Sequence, residues 1–204
     1  GEFVSDEQID RIFAVMALAS RHTFQLLTKR AERMRKYFAK RARSAKPWKE
    51  AALSVGYSLE YEGISLVPFP LPNVWLGVSV EDQQRADERI PHLLAMPAAV
   101  RFLSVEPMLG EVDLRWRALP AVVDTDNGGN DLRHPREGVD WVIVGSESGP
   151  GARPMKTEWA ASIVAQCRGA GVACFVKQIA TPADRKGGNP EHWPPGDWPR
   201  EFPA

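Results

Sequence analysis

The sequence predicts an α/β fold of parallel strands alternating with helices, and three observations carry that reading. Five short apolar runs recur along the chain, each breaks off into polar residues, and segments of helical periodicity lie between them. Buried parallel strands read as near-continuous apolar runs, whereas an antiparallel strand with one wet face alternates. The runs are Phe24-Gln25-Leu26-Leu27 into Thr28-Lys29-Arg30, Val74-Trp75-Leu76-Gly77-Val78 into Ser79-Val80-Glu81-Asp82, Val100-Arg101-Phe102-Leu103 into Ser104-Val105-Glu106-Pro107, Trp141-Val142-Ile143-Val144 into Gly145-Ser146-Glu147-Ser148, and Ala173-Cys174-Phe175-Val176 into Lys177-Gln178. Ligand sites in such sheets lie at the carboxyl ends of the strands, so these five ends are expected to aim polar groups at one mouth. Either a barrel or a doubly wound open sheet satisfies the alternation, and periodicity alone does not choose.

The elements follow in order. Ser5-Asp6-Glu7-Gln8 fits a capping box, and Ile9, Ile12, Phe13 and Met16 follow at helical spacing. A strand is expected at 23–27, then a helix at 30–41 with Met34 and Phe38 facing inward and its basic residues outward. The connecting segment 46–72 has room for a short amphipathic piece, but prolines and glycines punctuate it too heavily to assign one. The next unit is a strand at 73–80 and a helix at 82–89, which Pro91 is expected to end or kink. A strand at 100–105 stops at Glu106-Pro107, and 118–138 reads as a polar, glycine-rich surface excursion. Strand 140–144, helix 157–167 and strand 172–176 complete the series, and Trp193, Trp198 and Phe202 anchor an irregular tail. A βα series begins with a strand, so a chain that opens on a helix looks like a fold entered partway through. Gly1-Glu2-Phe3 looks like a cloning remnant.

At 204 residues the chain suits one α/β domain, able to bury about 70% of the surface its unfolded form exposes. Its 26 basic and 26 acidic residues give no global preference for nucleic acid, membrane or acidic substrate. The cations are concentrated locally: ten Lys or Arg lie between Lys29 and Lys49, against Glu32 alone. Cys167 and Cys174 suit buried thiols in a reducing compartment, which points to the cytoplasm. No run approaches the ~18 apolar residues of a membrane span.

Among candidate site residues, the loop from Gly145 to Pro154, with Ser146, Glu147 and Arg153, is the strongest local signal. Its glycines allow backbone amides to approach an anion, and the alternative is an ordinary turn pinned by a Glu147–Arg153 salt bridge. Glu81, Asp82 and Glu106 offer acceptors for ribose hydroxyls or an amino group, although Asp82 also stands where a helix should begin. Lys29, Arg30 and Lys177 are placed to bind a carboxylate or phosphate across the mouth, and the alternative for Lys177 is pairing with a neighbouring strand-end acid. The run Asp124 to Asp131 superficially matches a calcium loop but lacks the closing acid, the four histidines are scattered, and no metal site is expected.

Taken together, the strand-end motifs above, the segment Asp184-Arg185-Lys186-Gly187-Gly188 and the Trp-Pro tail resemble the phage and prophage family called Gp37/Gp68-like, a domain of unknown function. That family in turn resembles radical S-adenosylmethionine proteins. The resemblance implies a partial parallel (β/α) TIM-like barrel missing its first strands. It implies S-adenosylmethionine and a 4Fe-4S cluster for a complete protein, with the cluster on an amino-terminal cysteine segment that this chain lacks. No cofactor is therefore expected in this chain, which should be inactive alone. The likeness also implies cofactor contacts for Ser79 and Glu81 on a middle strand, and an adenine-flanking strand at Trp141 to Glu147, where Trp141 replaces the family's leading glycine and the acid falls one residue early. The competing reading is a non-redox nucleotide or nucleic-acid binding module. If preceding strands are missing, the strand at 23–27 is an exposed edge, which predicts a homodimer there, cover by the tail, or aggregation.

Overall fold

The computed structural model describes residues 4–41, 46–54, 70–114 and 138–203. The expected polar excursion and the calcium-like run lie almost wholly outside these residues. In chain order the elements are α1 (Asp6–Leu18), β1 (Phe24–Thr28), α2 (Ala31–Arg41), α3 (Lys46–Ser54), β2 (Val74–Ser79), α4 (Gln83–Leu94), β3 (Val100–Val105), β4 (Trp141–Gly145), α5 (Thr157–Ala170) and β5 (Ala173–Gln178). The five strands form one sheet in the order β1-β2-β3-β4-β5, and every neighbouring pair is parallel.

This sequential order has no reversal, and so no switch point of the doubly wound kind. Among the described residues the sheet is not closed by hydrogen bonds: β1 and β5 are its outer strands and do not pair with each other. Alternation separates the two faces of the strands. One face contributes Leu76, Val78, Leu103, Val105, Val142, Val144, Cys174 and Val176 to a core shared with Phe13, Met34, Phe38, Leu93 and Ile163 from the helices. The other face is aromatic, with Trp141 in ring contact with Trp75, Phe102 and Phe175 at centroid distances of 6.0, 5.9 and 6.2 Å. Gly77 lies beneath Phe102, whose ring carbons would stand 2.4 Å from a Cβ there, so a side chain is excluded.

Local signals hold at the helix starts. Ser5 accepts from the Gln8 amide while the Gln8 side chain accepts from the Ser5 amide, completing the capping box. Asp82 is the N-cap of α4, accepting from the Arg85 amide at 2.8 Å. Met34 and Phe38 face the core as expected, but Ile12 at 46% exposed does not.

Three expectations are corrected. Pro91 does not end α4, which continues through it to Leu94; the loss of one helical hydrogen bond is outweighed by burial of Leu93 on the core. The segment given no element contains α3, whose Pro47 stands in the first turn, where a missing N–H is no defect. Nor is the basic face of α2 wholly solvated. Arg41 makes two bonds to the buried Asp10 carboxylate, at 2.9 and 2.7 Å, and Asp10 also accepts from Tyr37 Oη at 2.7 Å. Trp48 of α3 donates to the same hydroxyl at 2.9 Å, so one polar knot ties the first three helices together. Burial, first, and the bond to Asp10 push the Tyr37 phenol well above its ordinary range.

The tail covers the edge of β5, at the opposite side of the sheet from β1. Val176 donates to the Pro199 carbonyl and Glu201 donates to that of Cys174, with an antiparallel bridge between Phe175 and Arg200. Trp193 is buried in the core, Trp198 packs against it, and Phe202 touches Trp141 and Phe175.

Candidate functional site

The carboxyl ends of five parallel strands share one edge of the sheet, and that edge collects the polar residues that end the apolar runs. β2 and β3 bring Ser79 and Ser104 into register, both buried, at the carboxyl end of the aromatic face. Two residues beyond Ser104, Glu106 meets Lys177, whose Nζ lies 2.9 and 3.0 Å from its two carboxylate oxygens. The pairing of β4 with β5 shifts register between Val144 and Gly145, opposing Val144 to Val176 and Gly145 to Gln178. Lys177 is the residue left over, and such a bulge re-aims a side chain. Gly145 makes room for the pair: a Cβ there would sit 3.1 Å from Glu106 Cδ.

The loop after β3 fastens this rim. Met108 donates to the Gly145 carbonyl at 3.0 Å and Leu109 to that of Glu81 at 2.8 Å, so one loop joins the ends of β2 and β4. Ser146 is buried; its amide donates to Gln178 and its hydroxyl accepts from Ala180 at 2.8 Å.

Glu81 lies among cations. Lys29 Nζ is 2.7 Å from one carboxylate oxygen and Arg89 Nη1 is 2.9 Å from the other, while the same Arg89 nitrogen donates to the Ser79 carbonyl at 2.8 Å. Burial raises the Glu81 carboxyl, but the Lys29 hydrogen bond and the charges of Arg89 and Lys29 outweigh it and hold it below the ordinary range. Arg89 Nε is buried without a hydrogen-bond partner among the described residues. A buried orphan donor costs on the order of 1–3 kcal/mol.

The Gly145–Pro154 loop adopts the pinned arrangement. Arg153 donates to Glu147 through its backbone amide and two guanidinium nitrogens, at 2.8, 2.7 and 2.8 Å. The Arg153 hydrogen bonds hold the Glu147 carboxyl down to about 2. Glu147 and Arg153 are thus engaged with each other, whereas Glu106 and Lys177 form the pair over the strand ends.

Ser104 and Arg89 were not among the expected site residues. Ser104 had a usable signal, since it lies two residues before Glu106 on the same side of a strand. Arg89 had none, because only the docking of α4 on β2 brings it to Glu81.

The implied iron–sulfur cluster finds no ligand set here. Cys167 and Cys174 are free thiols buried on the helix-covered side of the sheet, away from the rim, and no group of three or more His, Cys, Asp or Glu is placed to hold a metal among the described residues. Among those residues no helix is long and apolar enough to cross a membrane.

No curated protein and no solved structure matches the chain. A family model does, over residues 1–189, and the chain belongs to the family it describes, "Protein of unknown function (DUF5131)".

Proposed function

We propose that the rim at the carboxyl ends of β2 to β5 is a binding mouth for a small polar molecule bearing both an ammonium and a carboxylate. The observation that carries this reading is the Glu106–Lys177 pair, set above Gly145 at the end of an aromatic sheet face. A zwitterion complements such a pair: its ammonium replaces Lys177 at Glu106, and its carboxylate replaces Glu106 at Lys177. Ser79 and Ser104 lie nearby in register, and of the rings on this face the half-buried Trp75 and Phe175 are the ones left to meet a flat ring.

The amino-acid, ribose and adenine parts of S-adenosylmethionine match that set in kind. The finer reading is therefore that this sheet is the carboxyl-terminal part of a phage-family, radical S-adenosylmethionine-like partial barrel in the cytoplasm, to which Ser79, Glu81, Glu106 and the Gly145–Glu147 stretch contribute contacts. The two buried thiols do not suit the cluster.

Pairing within α1 and α2 supports the small-molecule reading over a nucleic-acid one. Arg33 and Lys40 face Asp6, Lys36 faces Glu32 and Arg41 faces Asp10, which leaves less of the basic run for phosphates.

Calorimetric titration with S-adenosylhomocysteine tests the mouth. Saturable binding that weakens by about tenfold in Glu106→Gln and in Lys177→Ala is expected. No saturable heat, or binding indifferent to both substitutions, would remove the proposal.

A further inference from the structure

The tail adds a cation and a ring to the aromatic face of the sheet, below the mouth. Its antiparallel bridge sets Arg200 opposite Phe175, and residues so opposed point their side chains to the same face. The Arg200 guanidinium accordingly lies over the Phe175 ring, 5.0 Å from its centroid, and 5.9 Å from that of Trp193. Two residues on, Phe202 returns to this face by alternation, its ring 5.2 Å from Phe175 and 5.4 Å from Trp141. The backbone between them is held in place. Glu201 donates to the Cys174 carbonyl at 2.9 Å, and its own carbonyl accepts from Trp141 Nε1 at 2.8 Å.

Both side chains are left with something unmet. Phe202 is 63% exposed, the highest value for a large apolar side chain among the described residues, and Phe175 beside it is half-buried. Arg200 is exposed, and among the described residues its guanidinium has no hydrogen bond or ion pair. The adjacent Glu201 does not neutralise it, because that carboxylate accepts from the Cys174 amide at 3.1 Å. Lys29, Arg89, Arg153 and Lys177, by contrast, each face an acid. Stacking occupies the face of a guanidinium and leaves its N–H edge open to an anion. An exposed ring and a cation without a counter-ion are satisfied together by a flat ring that carries negative charge.

We infer that β5 and the tail form a second binding site, for a flat aromatic ring bearing an anionic group, with the ring against Phe202 and Phe175 and the anion on the guanidinium edge of Arg200. Charge complementarity selects the anion, and the exposed ring surface selects a flat partner. The site stands apart from the mouth, since it uses neither Glu106 nor Lys177 and needs no ammonium on the ligand.

Heteronuclear magnetic resonance titrations of the whole chain with naphthoate test it. The Trp141 indole N–H signal and the amide signals of residues 200–202 should shift along a saturable curve. Naphthalenemethanol, which keeps the ring and lacks the charge, should bind at least about fivefold more weakly, and so should cyclohexanecarboxylate, which keeps the charge and lacks the flat ring. Arg200→Gln should abolish the difference between naphthoate and its alcohol, whereas Arg185→Gln, the same charge change at an exposed residue outside the bridge, should preserve it. The ligand comparison on the unaltered chain decides the matter even if Arg200→Gln does not fold. Adenosine monophosphate binding more tightly than naphthoate identifies a phosphate ester, and the reverse order identifies an aromatic carboxylate; either supports the site. Shifts that grow linearly, equal affinity for naphthoate and its alcohol, cyclohexanecarboxylate binding as tightly as naphthoate, or a difference that survives Arg200→Gln would overturn it. Loss of S-adenosylhomocysteine binding with naphthoate binding intact would sink only the mouth.

Discussion

Lys177 reaches across 71 residues of sequence to place its ammonium 2.9 and 3.0 Å from the two oxygens of Glu106, directly over the gap that Gly145 leaves in β4. The Lys177 side chain is 52% exposed, so the pair adds little to stability: exposed ion pairs contribute about 0–1 kcal/mol. A double-mutant cycle of Glu106→Gln and Lys177→Ala in urea should therefore give a coupling energy below about 1 kcal/mol. A coupling of several kcal/mol would mean that the pair is a structural brace and not a replaceable one.

The Asp10 knot should behave in the opposite way. Its carboxylate is buried and takes bonds from Tyr37 and Arg41. Asp10→Ala strands the Arg41 guanidinium and the Tyr37 hydroxyl, and should cost about 3 kcal/mol or more in urea unfolding. Tyr37→Phe keeps the Arg41 contacts and should cost about 1–2 kcal/mol. Equal losses in the two variants would contradict this division of roles.

Acid should unfold the chain in a defined window. Arg153 hydrogen bonds hold Glu147 at about 2, against an ordinary 4.5. Glu81 is lowered by Lys29 and Arg89 against the opposing effect of burial, and Asp184 by backbone amides, chiefly that of Asn189. Carboxyls lowered in the folded state stabilise it fully above their unfolded values, and that stabilisation is lost as pH falls through the folded ones. Melting temperature should thus hold from pH 7 to about 5 and fall between about 4.5 and 2. Glu147→Gln should make the fall shallower. A variant with the parent's slope would show that this pair does not contribute to it.

Among the described residues β1 has one strand neighbour, and its sequence carries no charge or proline that would discourage pairing at its other edge. Leu27 beside that edge is 49% exposed, and the tail lies on the other side of the sheet, along β5. Sedimentation velocity should show concentration-dependent self-association, and Leu27→Lys should shift the distribution to monomer. A parent chain that stays monomeric across the concentration range would indicate that the β1 edge is covered.

Local signals carried much of the architecture. The five strands, the Ser5 capping box and the Asp82 cap were legible because each depends on residues a few positions apart and on one backbone periodicity. The polar residues at the strand ends were legible as a set for the same reason. α3 was legible only as a short amphipathic piece without bounds, because prolines around it obscured a first turn in which proline is acceptable, and the run of α4 through Pro91 was missed because burial on the sheet, not local propensity, sustains it.

By itself, then, the sequence determined that parallel apolar strands end in Lys29, Glu81, Glu106, Ser146 and Lys177. Only the tertiary structure decided which of these meet. Strand register and the shift at Gly145 paired Glu106 with Lys177, the docking of α4 on β2 brought Arg89 to Glu81, and the docking of the tail on β5 set Arg200 over Phe175. Those contacts join residues far apart in the chain, and their energies depend on distance and burial, which residue order alone does not set.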